Sequence, residues 1–204
     1  PLVVDPRLAC ADTDLAPAPV SSDIPPPAAT GAAEPFVFAM RDCLLLSWMQ
    51  PVANTKETAL RFAIYRAGQW SQPRTVVQRG DLFVNWADFP SIVEDANGTL
   101  FAHWLQKSGG SGYAYDIRVA ISRDGGRTWS APLLLNRDGK RREHGFVSLA
   151  PLGDGGVAAT WLDGPHRVEG NEEGEMTTRQ AANDPAGRTP SARQPRHRPP
   201  RSAA

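Results

Sequence analysis

The sequence predicts an all-β fold, a partial β-propeller built from repeated four-stranded units, and three observations predict it. SIVEDANGTLFAHWL, which begins at Ser91, and SLAPLGDGGVAATWL, which begins at Ser148, align without a gap at an offset of 57 residues. Strand-like segments alternate with glycine-bearing turns such as EDANGT and LGDGG. No stretch keeps a helical period long enough to predict a helix. A repeat of roughly 40 to 60 residues with four strands is typical of propeller blades.

Each repeated unit is predicted to contain two hairpins. In the second unit the third strand, YDIRVAIS, leads through RDGGRT into a fourth strand, WSAPLLL. This hairpin also repeats, because AIYR at Ala63 and AISR at Ala120 are again 57 residues apart. One tryptophan recurs at an equivalent strand position of each unit, at Trp48, Trp104 and Trp161. We therefore expect these three indole rings in the core between blades.

Composition divides the chain into three segments. Residues 1–34 are rich in Pro and Ala and predict a disordered tether. Residues 35–176 carry the blades. Residues 177–204 contain no Val, Ile, Leu, Phe, Tyr or Trp, so they predict a low-complexity basic tail without a packed strand. Because the third unit loses its strand pattern after Met176, we expect a truncation or an altered reading frame near that residue.

Charge and hydropathy exclude several classes of protein. Lys plus Arg and Asp plus Glu number 22 each, so the net charge is zero and no basic field predicts a nucleic-acid partner. No apolar run reaches the roughly 18 to 20 residues of a transmembrane helix. His103 and His144 lack acidic or cysteine neighbours at ligand spacing, so no metal is predicted, and no motif predicts a cofactor.

The stretch SRDGGRTW, at the predicted turn between strands three and four, carries five regularly spaced residues. They are Ser122, Asp124, Gly126, Thr128 and Trp129. This set resembles the Asp-box, or bacterial neuraminidase repeat, and the chain resembles the sialidase (neuraminidase) superfamily, in particular bacterial exo-alpha-sialidase-like lipoproteins. The box residues can bond one another and the local backbone, so we expect them to stabilise a turn. In that superfamily the boxes lie remote from the catalytic pocket.

The resemblance implies a six-bladed propeller with glycoside hydrolase activity at its central axis. About two and a half blades are present here, so closure of the ring needs an oligomer or further blades. The superfamily implies three arginines that bind a sialic-acid carboxylate, a Tyr/Glu nucleophile pair and an Asp acid/base. Asp88 stands where the first arginine is expected, and an aspartate repels that carboxylate. Asp116 is the candidate acid/base, and the alternative is a structural residue at a strand start.

A pocket is expected where the chain enters the innermost strands, at NWADFPS and EHGFVS. The polar residues of these two entries are Asn85, Asp88, Glu143 and His144. Propellers bind ligands at this axial end, so these side chains are the candidate lining for a glycan or a sialoside-like ligand. Because Asp88 and the chain length oppose sialidase chemistry, we expect a sialidase-like propeller without a complete active site. The alternatives are a non-catalytic propeller that binds a glycan or a protein, and a truncated gene product.

Cys10 is a candidate lipid anchor. RLAC resembles the end of a bacterial lipoprotein signal, and a Pro/Ala-rich stretch follows it. This resemblance implies an extracytoplasmic protein, periplasmic or attached to the envelope.

Overall fold

The computed structural model describes residues 23–109, 114–164 and 177–182, which form antiparallel β-sheets. The described residues contain no helix. Accordingly, no helix in these ranges has the length and apolar character needed to span a membrane. The predicted all-β fold is confirmed.

Three sheets follow one another along the chain. The first strand of each sheet lies next to the first strand of a neighbouring sheet. The first sheet holds β1 (Ala33–Ala39), β2 (Leu44–Pro51), β3 (Thr58–Arg66), β4 (Gln69–Trp70) and β5 (Arg74–Arg79). The second holds β6 (Ser91–Glu94), β7 (Leu100–Lys107), β8 (Tyr115–Ser122) and β9 (Leu133–Leu134). The third holds β10 (His144–Pro151), β11 (Val157–Asp163) and β12 (Thr177–Ala182).

The sheets pack face to face as blades. Residues of β2 and β3 meet residues of β6 and β7 in one buried cluster, and residues of β7 and β8 meet β11 in another. The second strand of the middle sheet, β7, is consequently buried on both faces: its first six residues are all buried, and five of them are apolar. The first strands β1, β6 and β10 contact one another in turn, β1 with β6 and β6 with β10. This end of each sheet therefore forms the axial side of the propeller.

The recurring tryptophans occupy two kinds of environment. Trp104 lies in the cluster between the first and second sheets, and Trp161 lies in the cluster between the second and third. Trp48 is equally buried, at 2% exposure, but it packs against Ala28 and Ala32, which precede β1. The prediction of an inter-blade position therefore holds for two of the three. The face of the first sheet that carries Trp48 is covered by the chain's own N-terminal segment.

The predicted boundary of the tether at residue 34 is wrong. β1 begins at Ala33, and the residues just before it are packed on the sheet. The Gln50 side chain fastens them, because its Oε1 accepts from Ala29 N at 3.2 Å and its Nε2 donates to Thr30 O at 3.1 Å. Small Ala side chains allow this close approach to an apolar face, which composition alone does not reveal.

The prediction that no strand forms after Met176 is also wrong for six residues. β12 pairs with β11 from Asp163↔Thr177 to Ala158↔Ala182, and Ala181 packs against the cluster that contains Trp161. An edge strand needs backbone hydrogen bonds more than large side chains, so Thr, Gln and Ala suffice.

A β-bulge recurs opposite the tryptophans. Glu34 and Pro35 lie between the pairs Ala33↔Met49 and Phe36↔Ser47, opposite Trp48. In the third sheet, Phe146 and Val147 occupy the same place opposite Trp161. The first bulge residue has a left-handed backbone in both, with φ of 54° at Glu34 and 52° at Phe146. In the second unit Phe89 takes the corresponding place, 57 residues before Phe146.

The SRDGGRTW stretch forms the turn between β8 and β9. Asp124 accepts from Thr128 Oγ1 at 2.6 Å and from the backbone N–H groups of Arg127 and Thr128, both at 2.9 Å. The buried Ser122 hydroxyl donates to Asp124 at 2.8 Å and accepts from Gly126 N at 2.8 Å. These bonds to the charged form lower the Asp124 pKa, with the Thr128 hydroxyl as the largest cause.

Candidate functional site

Tyr115, at the start of β8, is the centre of a polar cluster at the axial end. Its side chain is fully buried and stacks on Phe83 with ring centroids 4.0 Å apart. The phenol Oη lies 3.0 Å from Glu143 Oε1 and 3.3 Å from Asp88 Oδ2. A phenol carries one proton, so it donates to one of the two carboxylates at a time. Two of the four predicted axial residues are thus brought together by a tyrosine.

Asp88 joins the second sheet to the third. It is buried at 5% exposure, and its Oδ1 accepts a hydrogen bond from the backbone N–H of Phe146. Gly145 lies directly over this carboxylate, and a Cβ there would be 2.9 Å from Asp88 Oδ1 and 3.1 Å from Tyr115 Oη. Glycine is therefore required at position 145 by the closeness of the aspartate and the tyrosine, not by a turn.

Glu34 is a third carboxylate of the cluster, which sequence reasoning assigned to the tether. The residue is 7% exposed, and its Oε2 has no hydrogen-bond partner among the described residues. Burial, and next the charge of Asp88, raise the Glu34 pKa to about 7, while a hydrogen bond from the Asn85 backbone acts in the opposite direction. A sequence signal did exist, since Glu34 precedes Pro35 as Phe89 precedes Pro90.

The electrostatics of this cluster are acidic. Among the described residues, neither Glu34, Asp88 nor Glu143 forms an ion pair with an arginine, lysine or histidine. Burial, followed by the charges and hydrogen bonds of Asp88 and Glu143, raises the Tyr115 pKa well above its ordinary value. Tyr115 is therefore a neutral hydrogen-bond donor, and the cluster is suited to accept hydrogen bonds from a ligand or to hold a proton.

Apolar side chains border the cluster. A cleft of about 200 Å³ runs between the first strands of the three sheets and is lined by Phe36, Ala87, Phe89, Ser91, Phe146, Val147, Ser148 and Leu149. Phe89 and Phe146, which the 57-residue repeat relates, are 42% and 44% exposed. Beside them Trp86 is 86% exposed. The axial end thus combines buried carboxylates with accessible aromatic rings.

Asn85 positions this exposed tryptophan. Its Oδ1 accepts from Ala87 N at 3.2 Å and its carbonyl accepts from Asp88 N at 3.1 Å, so residues 85–88 form a tight turn. Trp86 stands at the tip of that turn. Asn85 therefore serves the site through its backbone and its turn, and its side chain is only half-buried.

His144 belongs to a separate, ion-paired cluster. Its Nδ1 lies 2.9 Å from Asp163 Oδ1 and its Nε2 lies 3.2 Å from Lys140 O, with Asp138 Oδ1 at 3.5 Å. Burial by itself lowers the His144 pKa, but the bonds to Asp163 and Lys140 and the nearby carboxylate charges outweigh burial and raise it. Both ring nitrogens thus face acceptors, an arrangement that favours the protonated ring.

The Asp138, His144 and Asp163 side chains offer ligand atoms within 4.8 Å of one another, which is close enough for a metal ion. Arg142, however, pairs with both carboxylates, at 2.7 Å to Asp138 and 3.1 Å to Asp163. A cation would have to displace this guanidinium and break the contacts of the imidazole with Asp163 and Lys140 O. The donor set therefore fits an ion-pair network that anchors the chain beside Glu143 better than it fits a metal.

Asp116 lies outside the Tyr115 cluster. It is the next residue along β8, so its side chain projects from the opposite face of the sheet. Its Oδ1 accepts from Asn136 Nδ2 at 3.0 Å, and its Oδ2 pairs with Arg118 at 3.3 Å. These are the contacts of a structural residue at a strand start, and a catalytic role for Asp116 stays a prediction. Cys10, the candidate lipid anchor, lies outside the described residues.

Comparison with known proteins relates the fold to two solved structures. An alpha-L-arabinanase from Penicillium chrysogenum, complexed with arabinobiose, is similar with a TM-score of 0.57 and 13% identity over 79% of this chain and 49% of the arabinanase. A Hadza microbial sialidase is similar with a TM-score of 0.50 and 15% identity over 78% of this chain and 36% of the sialidase. No protein-family model matches the chain, and no curated protein sequence matches it.

The likeness to both solved structures supports the all-β, propeller-like fold described above. At this level of identity the likeness establishes the fold alone. The chain spans about half the length of the arabinanase and about a third of that of the sialidase.

Proposed function

We propose that the axial end of this propeller binds a neutral carbohydrate and that the chain has no sialidase activity. One observation carries the proposal. The carboxylates of Glu34, Asp88 and Glu143 converge without a basic partner among the described residues, beside exposed aromatic rings. A sugar offers hydroxyl donors along its edge and C–H groups on its face, which match these two surfaces.

The charge of the site argues for a neutral ligand. A sialoside carries a carboxylate, which Asp88 and Glu143 would repel, and its recognition requires cations such as an arginine fork. Arg118 and Arg142 are both paired with aspartates. The similar arabinanase is described with bound arabinobiose, a neutral disaccharide, which supports the same choice.

The state of Tyr115 argues against covalent catalysis of the sialidase type. A tyrosine nucleophile needs a lowered pKa or a base that can remove its proton. Tyr115 does face Glu143, but its pKa is raised and its ring is fully buried. It is suited instead to orient Glu143 and Asp88 as acceptors for ligand hydroxyls.

The test is calorimetric titration of the purified chain with arabino-oligosaccharides and with sialyllactose, together with a fluorogenic sialoside assay. We expect binding of the neutral oligosaccharide, no binding of sialyllactose and no turnover. Glu143→Gln should weaken the neutral ligand several-fold, because an amide replaces an ionised acceptor. Asp42→Asn is the matched control, since Asp42 is a solvent-exposed carboxylate paired with Arg66. Turnover of the sialoside would overturn the proposal.

We propose further that the protein acts outside the cytoplasm, attached to the envelope through Cys10 and its Pro/Ala-rich tether. The support is the RLAC sequence and the composition that follows it. Labelling of cells that express the natural gene with a palmitate analogue should mark the protein, and Cys10→Ala should abolish the label. Absence of label on the unsubstituted protein would contradict attachment by this route.

A further inference from the structure

Trp86 stands apart from the other tryptophans of the chain. It is 86% exposed, whereas Trp48, Trp104 and Trp161 are 1–2% exposed and the remaining two are half-buried. A large aromatic side chain at a turn tip leaves apolar surface in water, and turn tips ordinarily carry small polar residues. An indole ring that is 86% exposed therefore contributes little burial to the stability of the fold.

The turn that presents Trp86 is held firmly. Asn85 closes it with a side-chain bond to Ala87 N and a backbone bond from Asp88 N. Asp88 is in turn fixed by Phe146 N–H of the third sheet and by the Tyr115 hydroxyl. The backbone beneath the ring therefore needs no further ordering when a ligand contacts it, which lowers the entropic cost of binding.

Trp86 also belongs to the turn that ends at Asp88, a carboxylate of the acidic site. The 57-residue repeat relates it to Glu143, so the two residues occupy equivalent places on the chains that enter β6 and β10. Its neighbour Ala87 lines the axial cleft together with Phe89. One entry thus supplies an aromatic face, and the equivalent entry supplies a hydrogen-bond acceptor.

We infer that Trp86 is the stacking platform of the axial site and packs against the apolar face of a sugar ring whose hydroxyls reach Glu143. The inference rests on the proposed carbohydrate site and adds the residue that selects ring-shaped ligands. Stacking needs an aromatic face more than the indole N–H, so phenylalanine should retain part of the function.

The test uses tryptophan fluorescence and calorimetry on the complete chain with arabinobiose and longer arabino-oligosaccharides. Trp86 is the most exposed indole, so acrylamide should quench it selectively, and saturating oligosaccharide should protect it. Trp86→Ala should weaken binding about tenfold or more, and Trp86→Phe should weaken it less. Trp70→Phe, on β4 and packed against Tyr65, is the control and should leave affinity and protection unchanged.

Each outcome separates the two proposals. If the unsubstituted chain binds the oligosaccharide and Trp86→Ala binds it equally well, the platform is overturned and the carbohydrate site stands. If the unsubstituted chain binds none of the oligosaccharides, both are overturned. Because the side chain is exposed, the melting temperature of Trp86→Ala should equal that of the unsubstituted chain, so lost affinity cannot be ascribed to unfolding.

Discussion

The carboxylate of Asp88 accepts a hydrogen bond from the backbone N–H of Phe146, which lies 58 residues later in the chain, and so joins the second sheet to the third. The same aspartate also accepts from Tyr115. A residue that sequence resemblance places at an arginine position is therefore a connection between blades as well as part of the axial site.

Removing this carboxylate should destabilise the protein. Asp88→Ala leaves the Phe146 N–H without an acceptor and opens a cavity, while the phenol of Tyr115 can still donate to Glu143, so the free energy of unfolding should fall by about 2–4 kcal/mol. Urea titration measures the loss. The exposed Asp42→Asn should change stability by less than about 0.5 kcal/mol. Equal effects of the two substitutions would contradict the bridging role.

The raised pKa of Glu34 should give stability a specific pH dependence. The folded protein holds this proton with a pKa of about 7, against 4.5 for the ordinary group, so the protonated form is the stabilising one. The contribution is complete below pH 4.5 and is lost as the pH rises through 7. Glu34→Gln should remove it. We expect equal stability of the two proteins near pH 4.5 and an advantage to Glu34→Gln on the order of 2 kcal/mol at pH 8.

Denaturant titrations of both proteins across this pH range test the prediction. The contribution of His144 has the same sign, because its raised pKa also favours the protonated form. It is common to both proteins, so the difference between them isolates Glu34. If the difference in free energy of unfolding between the two proteins does not vary with pH, the prediction is wrong.

The two histidines of the described residues should have pKa values shifted in opposite directions, lowered for His103 and raised for His144. His103 is buried on β7 and its Nδ1 accepts from Ser91 N at 3.2 Å; burial lowers its pKa to about 4. His144 has acceptors at both ring nitrogens and a raised pKa. Long-range ¹H–¹⁵N spectra at pH 6 should show a neutral His103 ring and a doubly protonated His144 ring, assigned among the four histidines of the chain with His103→Gln and His144→Gln. A neutral His144 ring at that pH would refute its ion-paired environment.

Two adjacent glycines of the β8–β9 turn should respond differently to alanine. Both have positive φ, 70° at Gly125 and 81° at Gly126. A Cβ at Gly125 meets nothing within 4 Å, so Gly125→Ala should cost about 1–2 kcal/mol for the backbone alone.

A Cβ at Gly126 would overlap the Phe62 ring of the first sheet, which is fully buried and packs edge-on against Trp129. The second substitution should therefore cost about 2–5 kcal/mol, since overpacking adds to the strain. Thermal melts of the two variants, compared side by side, provide the measurement. A similar loss of stability in both variants would show that Gly126 is not closely packed against the Phe62 ring of the neighbouring blade.

The repeat allowed much of the fold to be predicted. Ser91 and Ser148 mark equivalent first strands, and Trp104 and Trp161 do lie between sheets. Such positions depend on local turns and on alternation, which a sequence displays directly. The burial of Ala28 and Ala32 was missed because it depends on a distant sheet face.

The site was predicted less well, for the same reason. Asp88 and Glu143 could be placed at the axial end by strand order, but Tyr115 reads as an ordinary core residue of a strand. Its importance comes from two carboxylates on other elements. Glu34 acquires its raised pKa through burial at a bulge and, second, through the charge of Asp88, and neither is visible in a Pro/Ala-rich stretch.

The segment fastened by Gln50 also determines how the first sheet can associate. Stacked repeats expose an apolar face at each end unless a terminal element shields it, and residues 28–32 shield the face that bears Trp48. Any additional blade, from this or another molecule, can dock there only after that short stretch has been displaced. Docking of a further blade on this face would therefore be an exchange with residues 28–32, and a substitution at Gln50 should shift the equilibrium of that exchange.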